Sequence, residues 1–345
     1  MKRVTVLLLS LALVASACGG DGDDAGGGES LLDAVLDRGT VRCGVNDTVP
    51  GFGIVDDAGN YSGFDIDFCR VVAAGVLGDA NAVEFVPLAA AERFTALQSG
   101  EIDVLIRNTT WTATRDGQEG STFLFTTFYD GQGLMVPDAS GITSLDDLAD
   151  ANICVLSGTT TELNLTAVFN TRGVPFNPVV FADNTALRPA YEQGQCDAWT
   201  SDVSQLTGIK SDIEGEGGAA QRILPDVISK EPLAPVVLDG DSAWAQAVEW
   251  SVLATVIAWE FGITSSNVGS FPTDDANVRN FLNAGDEDFA VGLGLNPDFA
   301  VNIISQVGNY EEIYNSHLVP IGLPLAGTPN DLWTKGGLMY APPYR

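Results

Sequence analysis

Short apolar runs of strand length alternate along this chain with segments of helical periodicity, and near residue 144 the alternation begins a second time. Strand–helix–strand order at that pace requires parallel sheets with crossover helices packed on their faces, so the chain is expected to be α/β throughout. Residues 31–38 read as a helix and 40–45 as a strand. Gly63-Phe64-Asp65-Ile66-Asp67-Phe68 opens a helix to about Leu77, with Phe64, Phe68, Val72 and Val76 recurring on one face and two aspartates in its first turn. A strand over 83–87, a helix over 93–99 and a strand over 102–106 complete the first pass.

In the second pass Ser144-Leu145-Asp146-Asp147 resembles a capping box and 153–156 reads as a strand. Thr159-Thr160-Thr161-Glu162 has the full capping-box pattern. Residues 179–181 read as a strand, 185–193 as a helix, 197–200 as a strand and 211–220 as an acidic surface loop. A long helix is expected over 242–261, with further helical signals at 277–282 and 297–307. The aromatic tail Trp333 to Pro343 is expected to lie extended over the first domain. With 45% hydrophobic residues, 345 residues suffice for two ordinary domains, each with its own core.

The first eighteen residues read as an export signal: Lys2 and Arg3, an apolar run from Val4 to Val14 too short to span a bilayer, then Ala15-Ser16-Ala17 before Cys18. That ending is similar to the bacterial lipobox, which implies acylation of the Cys18 thiol and a lipid anchor in the membrane; plain signal cleavage nearby is the alternative. Residues 19–30 are glycine, acidic and small, and suit a flexible tether. No later run is apolar enough for a transmembrane helix. With Cys18 set aside, Cys43, Cys69, Cys154 and Cys196 form an even set for an oxidising compartment. Three connectivities are open, and pairing 43 with 69 and 154 with 196 keeps each bridge within one domain. The wide spacings and single histidine, His317, argue against zinc, and no metal or other cofactor is expected. A net charge of −30 repels nucleic acid and anionic lipid headgroups.

Three stretches place polar groups at the C-terminal ends of expected parallel strands, where open α/β sheets bind ligands. The first runs from Asp103 to Arg115 and offers a guanidinium, the group that grips a carboxylate through two parallel hydrogen bonds. The second, Leu156 to Glu162, offers free N–H groups at a helix start. The third, Gly194 to Asp202, ends on a carboxylate able to take an ammonium group. Each has an ordinary explanation as a cap or solvated loop. Together they form a recognition set for an α-amino acid.

At these residues the chain resembles the type II periplasmic solute-binding proteins of polar amino acid ABC importers, most of all the general L-amino-acid-binding subfamily. The matching stretches run in order: Val41 to Asn46, Gly63 to Cys69, Arg93 to Gly100, Arg107 to Trp111, Tyr129 to Gly133, Gly158 to Asn164 and Trp333 to Pro343. The resemblance implies two α/β lobes joined by two crossover strands, residues 31–129 plus 236–345 in one and 130–235 in the other. It implies that Arg115 holds the ligand α-carboxylate with donors from Thr110, Thr159 and Thr160, and that Asp202 holds the α-ammonium with help from Asn108 or the Thr110 carbonyl. Phe52 is expected beside the ligand side chain. The loop 89–92, Ala-Ala-Ala-Glu, lacks the aromatic residue of several relatives. Arg93 and Arg107 would then leave positive charge near the side-chain pocket, which favours Glu, Gln, Asp or Asn as ligand within a broad range.

The implied partners are a free amino acid, a permease and its ATPase, and the membrane through the N-terminal lipid. Three or four charge-assisted hydrogen bonds, at roughly 1.5–3 kcal/mol each, fall near the roughly 8–11 kcal/mol of micromolar to ten-nanomolar binding. An enzyme on the same fold would need a general acid or base at the cleft, and the single histidine lies far down the chain. A sensor passing its closed shape to a receptor is the other rival.

Overall fold

The computed structural model describes residues 30–285 and 289–345. The expected export signal (1–18), Cys18 and all but the last residue of the expected tether therefore lie outside the described residues. Ser30, that last residue, belongs to the fold: its hydroxyl accepts from the Leu32 N–H at the start of helix Leu31–Arg38 and donates to Asp241.

Two five-stranded sheets share one plan. In the first, strands Val83–Pro87, Val41–Val45 and Val104–Leu105 run parallel; Val236–Leu238 joins antiparallel and is flanked by Ser121–Phe123. In the second, Phe176–Phe181, Ala151–Leu156 and Ala198–Asp202 run parallel; Gln132–Pro137 joins antiparallel and is flanked by Gln221–Ile223. The chain passes between the sheets on two strands, Phe128–Asp130 outward and Glu231–Leu233 back, paired antiparallel to each other. The result is the two-lobed type II fold.

Strand periodicity dictates the cores. Side chains alternate across a sheet, so Leu134, Val136, Ile153 and Val155 bury on one face of the second sheet with Leu165 and Phe169. Met135, Cys154, Leu156 and Trp199 bury on the other with Leu187 and Leu206. In the first lobe, helix Phe64–Leu77 packs on the long helix Ser242–Phe261, and the Trp244 indole N–H reaches the Asp103 carbonyl at 2.8 Å. Cys43 is bonded to Cys69 and Cys154 to Cys196, with Cα separations of 6.0 and 5.6 Å. His317 pairs with Asp67 at 2.6 Å. Among the described residues no helix is long and apolar enough to cross a membrane.

Several expectations change. Half of the expected acidic loop at 211–220 is helix: Val203–Gly215 runs into it because Leu206, Ile209 and Ile213 recur on a buried face. Ser144 does form a capping box with Asp147, but it starts only a 3-10 turn, Leu145–Leu148. At Thr159 the side chain caps the Glu162 N–H, while Glu162 reaches back to the N–H of Gly158 instead of that of Thr159. The tail only partly covers the first lobe. Met339, Ala341 and Tyr344 are buried, whereas Trp333, Leu338 and Tyr340 are exposed.

Candidate functional site

The C-terminal ends of both sets of parallel strands face each other across the lobe boundary, and the candidate residues gather there. Strand Val104–Leu105 leads into Ile106, Arg107 and then Asn108, which has φ of 31°. Asparagine tolerates this left-handed region better than most residues. The conformation makes Asn108 a hub. Its N–H donates to Asp65 at 2.7 Å, its side-chain oxygen accepts from Asn46, and its Nδ2 lies 3.3 Å from Asp202 on the other lobe. The next residues pair with the returning crossover strand: Trp111 N–H donates to the Pro232 carbonyl and Ala234 N–H to that of Thr109. Thr110 is thereby fixed beside the hinge, and its hydroxyl lies 3.4 Å from that of Thr160 across the cleft.

Asp202 ends strand Ala198–Asp202 and precedes helix Val203–Gly215, yet its carboxylate caps no N–H of that helix. Buried at 4% exposure, with Asp130 and Glu231 nearby, it is held well above the usual carboxylate range, first by desolvation and then by those like charges. Three guanidiniums face it from the first lobe. Burial pushes the Arg107 side chain down to about 10, and Arg93 and Arg115 are lowered for the same reason. Arg93 and Arg115 both lie over the Phe94 ring, at 5.6 and 5.5 Å. Arg93 donates only one long hydrogen bond, 3.4 Å to the Gly158 carbonyl, and its Nε is buried without a partner.

Arg93, Arg107, Asn108, Thr110, Thr159, Thr160 and Asp202 line one central cavity between the lobes, together with Ser201 and Gln205. The space left is about 20 Å³, enough for about one water, so the lobes are closed and an amino acid can enter only when they part. Arg115 does not line that cavity. It lies in a flanking chamber of about 490 Å³ that shares Ala90, Thr159 and Thr160 with it, and its Nη1 donates to the Thr110 carbonyl at 2.9 Å. Phe52 is not at the site: at 1% exposure it packs edge-on against Phe64 and Phe128 in the first lobe's core. Its apolar ring gains more by joining that cluster than by facing charged groups.

The central residue that sequence reasoning missed is Glu231, at 1% exposure on the returning crossover strand. It accepts from the Thr160 hydroxyl and from Asn164 Nδ2, both at 2.9 Å, and from the Ser229 hydroxyl. Asp130, on the outgoing crossover strand, accepts from Ser204 and from the Gly131 N–H. Asp130 falls within the matching stretch Tyr129 to Gly133, which gave it no role, and Glu231 falls in no such stretch; the pairing of the two crossover strands brings them together. Gln205 carried a signal, lying one turn past Asp202 on a helix.

These features match a known family. Residues 41–290 match the bacterial extracellular solute-binding proteins, family 3. The chain belongs to this family. It is 46% identical to the general L-amino acid-binding periplasmic protein AapJ of Rhizobium johnstonii over 92% of this chain and 93% of that one. It is 42% identical to the glutamate/glutamine/aspartate/asparagine-binding protein BztA of Rhodobacter capsulatus, over 92% and 94%. The solved periplasmic binding protein from Brucella ovis with glutathione bound superposes with a TM-score of 0.87 at 43% identity, covering 92% of this chain and all of that one. These relatives are binding proteins, and the family is extracytoplasmic.

As a family 3 protein, the chain carries its buried acids in an unusual electrostatic state. Burial pushes the carboxyls of Asp65 and Asp130 up to about 7, against the N–H and hydroxyl donors that pull them down. A carboxyl raised on folding holds its proton longer in the folded state than in the unfolded chain. Its contribution is complete below the unfolded value near 4 and is lost as pH rises to about 7. Melting of the ligand-free protein is therefore expected at a higher temperature at pH 5 than at pH 8. A smaller difference between the two pH values in the Asp65→Asn and Asp130→Asn variants is the expected check, the remaining raised carboxyls, Asp202 among them, keeping part of it.

Proposed function

We propose that this protein binds free L-amino acids outside the cytoplasmic membrane, glutamate, glutamine, aspartate and asparagine foremost, and delivers them to an ABC import permease and its ATPase. Lobe 1 comprises residues 31–129 and 236–345, and lobe 2 residues 130–235. Arg115, with hydroxyls from Thr110, Thr159 and Thr160, receives the α-carboxylate. Asp202, assisted by Asn108, receives the α-ammonium. Because the two ends of the ligand are held by different lobes, the ligand favours the closed form by as much as it binds that form better. Acylation of Cys18 anchors the protein, and residues 19–30 hold it off the membrane.

The observation that carries this reading is the opposition of the buried Arg93 and Arg107 of one lobe to Asp202 of the other across a closed cleft, with Arg115 in the adjoining chamber. Within it, the buried and unpartnered Nε of Arg93 calls for an acceptor, which supports a ligand whose side chain ends in oxygen. The test is thermal denaturation with each of the twenty amino acids. A ligand at 100 times its dissociation constant stabilises by about 2.7 kcal/mol, a readily measured shift. If none of the twenty raises the melting temperature, the reading fails.

Arg93→Gln separates end recognition from side-chain recognition. It is expected to weaken glutamate roughly ten- to a hundred-fold, the loss of one charge-assisted bond, and to leave glutamine nearly unchanged. Calorimetric titration with both ligands checks this. Equal losses for the two would remove Arg93 from the side-chain pocket.

A further inference from the structure

Two glycines of the second lobe touch the first lobe on opposite sides of the central cavity. Gly158, with φ of +70°, lies so near Ala91 that an added Cβ would sit 2.9 Å from the Ala91 Cα and 3.3 Å from its backbone nitrogen. The short alanine loop before Arg93 is what permits this approach. Gly208 lies inside helix Val203–Gly215, where a Cβ would fall 2.6 Å from the backbone carbonyl oxygen of Pro50. A backbone oxygen cannot turn aside as a flexible side chain can. Gly208 is one helical turn from Gln205, which lines the cavity, and Gly158 directly precedes Thr159 and Thr160 on the opposite wall.

We propose that Gly208 and Gly158 are the contact points that set how far the lobes close. Their missing side chains let Thr110 and Thr160, at 3.4 Å, and Asn108 and Asp202, at 3.3 Å, come within reach of one small ligand. Both act as positioning residues through the lobe interface. The proposal rests on the amino-acid reading of the cleft only for its ligand readout.

Gly208 gives the cleaner test, since alanine suits a helix interior better than glycine. Gly208→Ala is expected to leave the ligand-free melting temperature unchanged or higher, to weaken L-glutamate at least tenfold, and to show that loss mainly as faster dissociation. Gly215→Ala, in the same helix, is the control, because a Cβ there meets nothing within 4 Å; it should bind as the parent does. A second readout needs no ligand. The Thr48 hydroxyl and Asn184 Nδ2 lie 3.4 Å apart across the closed lobes, so a Thr48→Cys, Asn184→Cys pair reports closure by its cross-linking rate. Gly208→Ala in that background should cross-link at least tenfold more slowly than the pair alone or with Gly215→Ala. Equal cross-linking rates overturn the proposal whatever the ligand. Failure of the parent protein to bind any of the twenty amino acids, with slowed cross-linking in Gly208→Ala, overturns the ligand reading and leaves the closure contact standing.

Discussion

Arg115→Ala should lose about 2–5 kcal/mol of binding free energy for every amino acid the protein takes, roughly 30- to several-thousand-fold in affinity. The reason lies in its surroundings. The guanidinium is 8% exposed and spends one N–H on the Thr110 carbonyl. It also sits within the fields of Glu231 and Asp202, the acidic charges that act on it most strongly. The proposed role is to receive the ligand α-carboxylate beside the helix start at Thr160. Truncation removes the fork and leaves a bound carboxylate short of donors in a dry cleft. Arg115→Lys should recover only part of the loss, because an ammonium cannot present two parallel N–H groups. Titration calorimetry with glutamate and glutamine, with circular dichroism to verify folding, decides it. A loss confined to one ligand would move Arg115 from the shared α-carboxylate to the side chain.

The second large effect concerns stability. The bonds Cys43–Cys69 and Cys154–Cys196 span 26 and 42 residues. Loop-closure entropy gives about 3.5 and 4 kcal/mol for loops of those lengths. A whole domain is stable by only about 5–15 kcal/mol. Replacing Cys154 and Cys196 by alanine should therefore lower unfolding stability by roughly 4 kcal/mol, read from urea denaturation followed by Trp199 fluorescence. Trp199 is buried in the same cluster as that disulfide. The Cys43 and Cys69 pair should cost slightly less. If both double variants unfold at the parent's midpoint, the bonds contribute nothing measurable to stability.

Much of the fold was legible because local physics fixes it. Apolar residues at i+4 from Phe64 to Val76 can bury together only on a helix, and six of the observed strands overlap runs read as strands. The helix through 211–215 was missed because its exposed face is acidic and glycine-rich, while its buried face depends on the sheet beneath it. Phe52 was misjudged for a related reason. Its neighbours in sequence say nothing of Phe128, which arrives on a crossover strand and draws the ring into the core.

The sequence alone determined the class of fold, the even set of cysteines, and the presence of Asp202 at a strand end and of Arg115 in the short helix that follows another. Those properties follow from short-range periodicity and from residue chemistry, which the chain carries at every position. Only the tertiary structure decided which charges meet. Antiparallel pairing of Phe128–Asp130 with Glu231–Leu233 brings Asp130 and Glu231 to the cleft from positions about a hundred residues apart. Closure then puts a glycine of one lobe against a carbonyl of the other. Burial, charge opposition and steric contact depend on distances through space, and residue order does not encode these until the chain has folded.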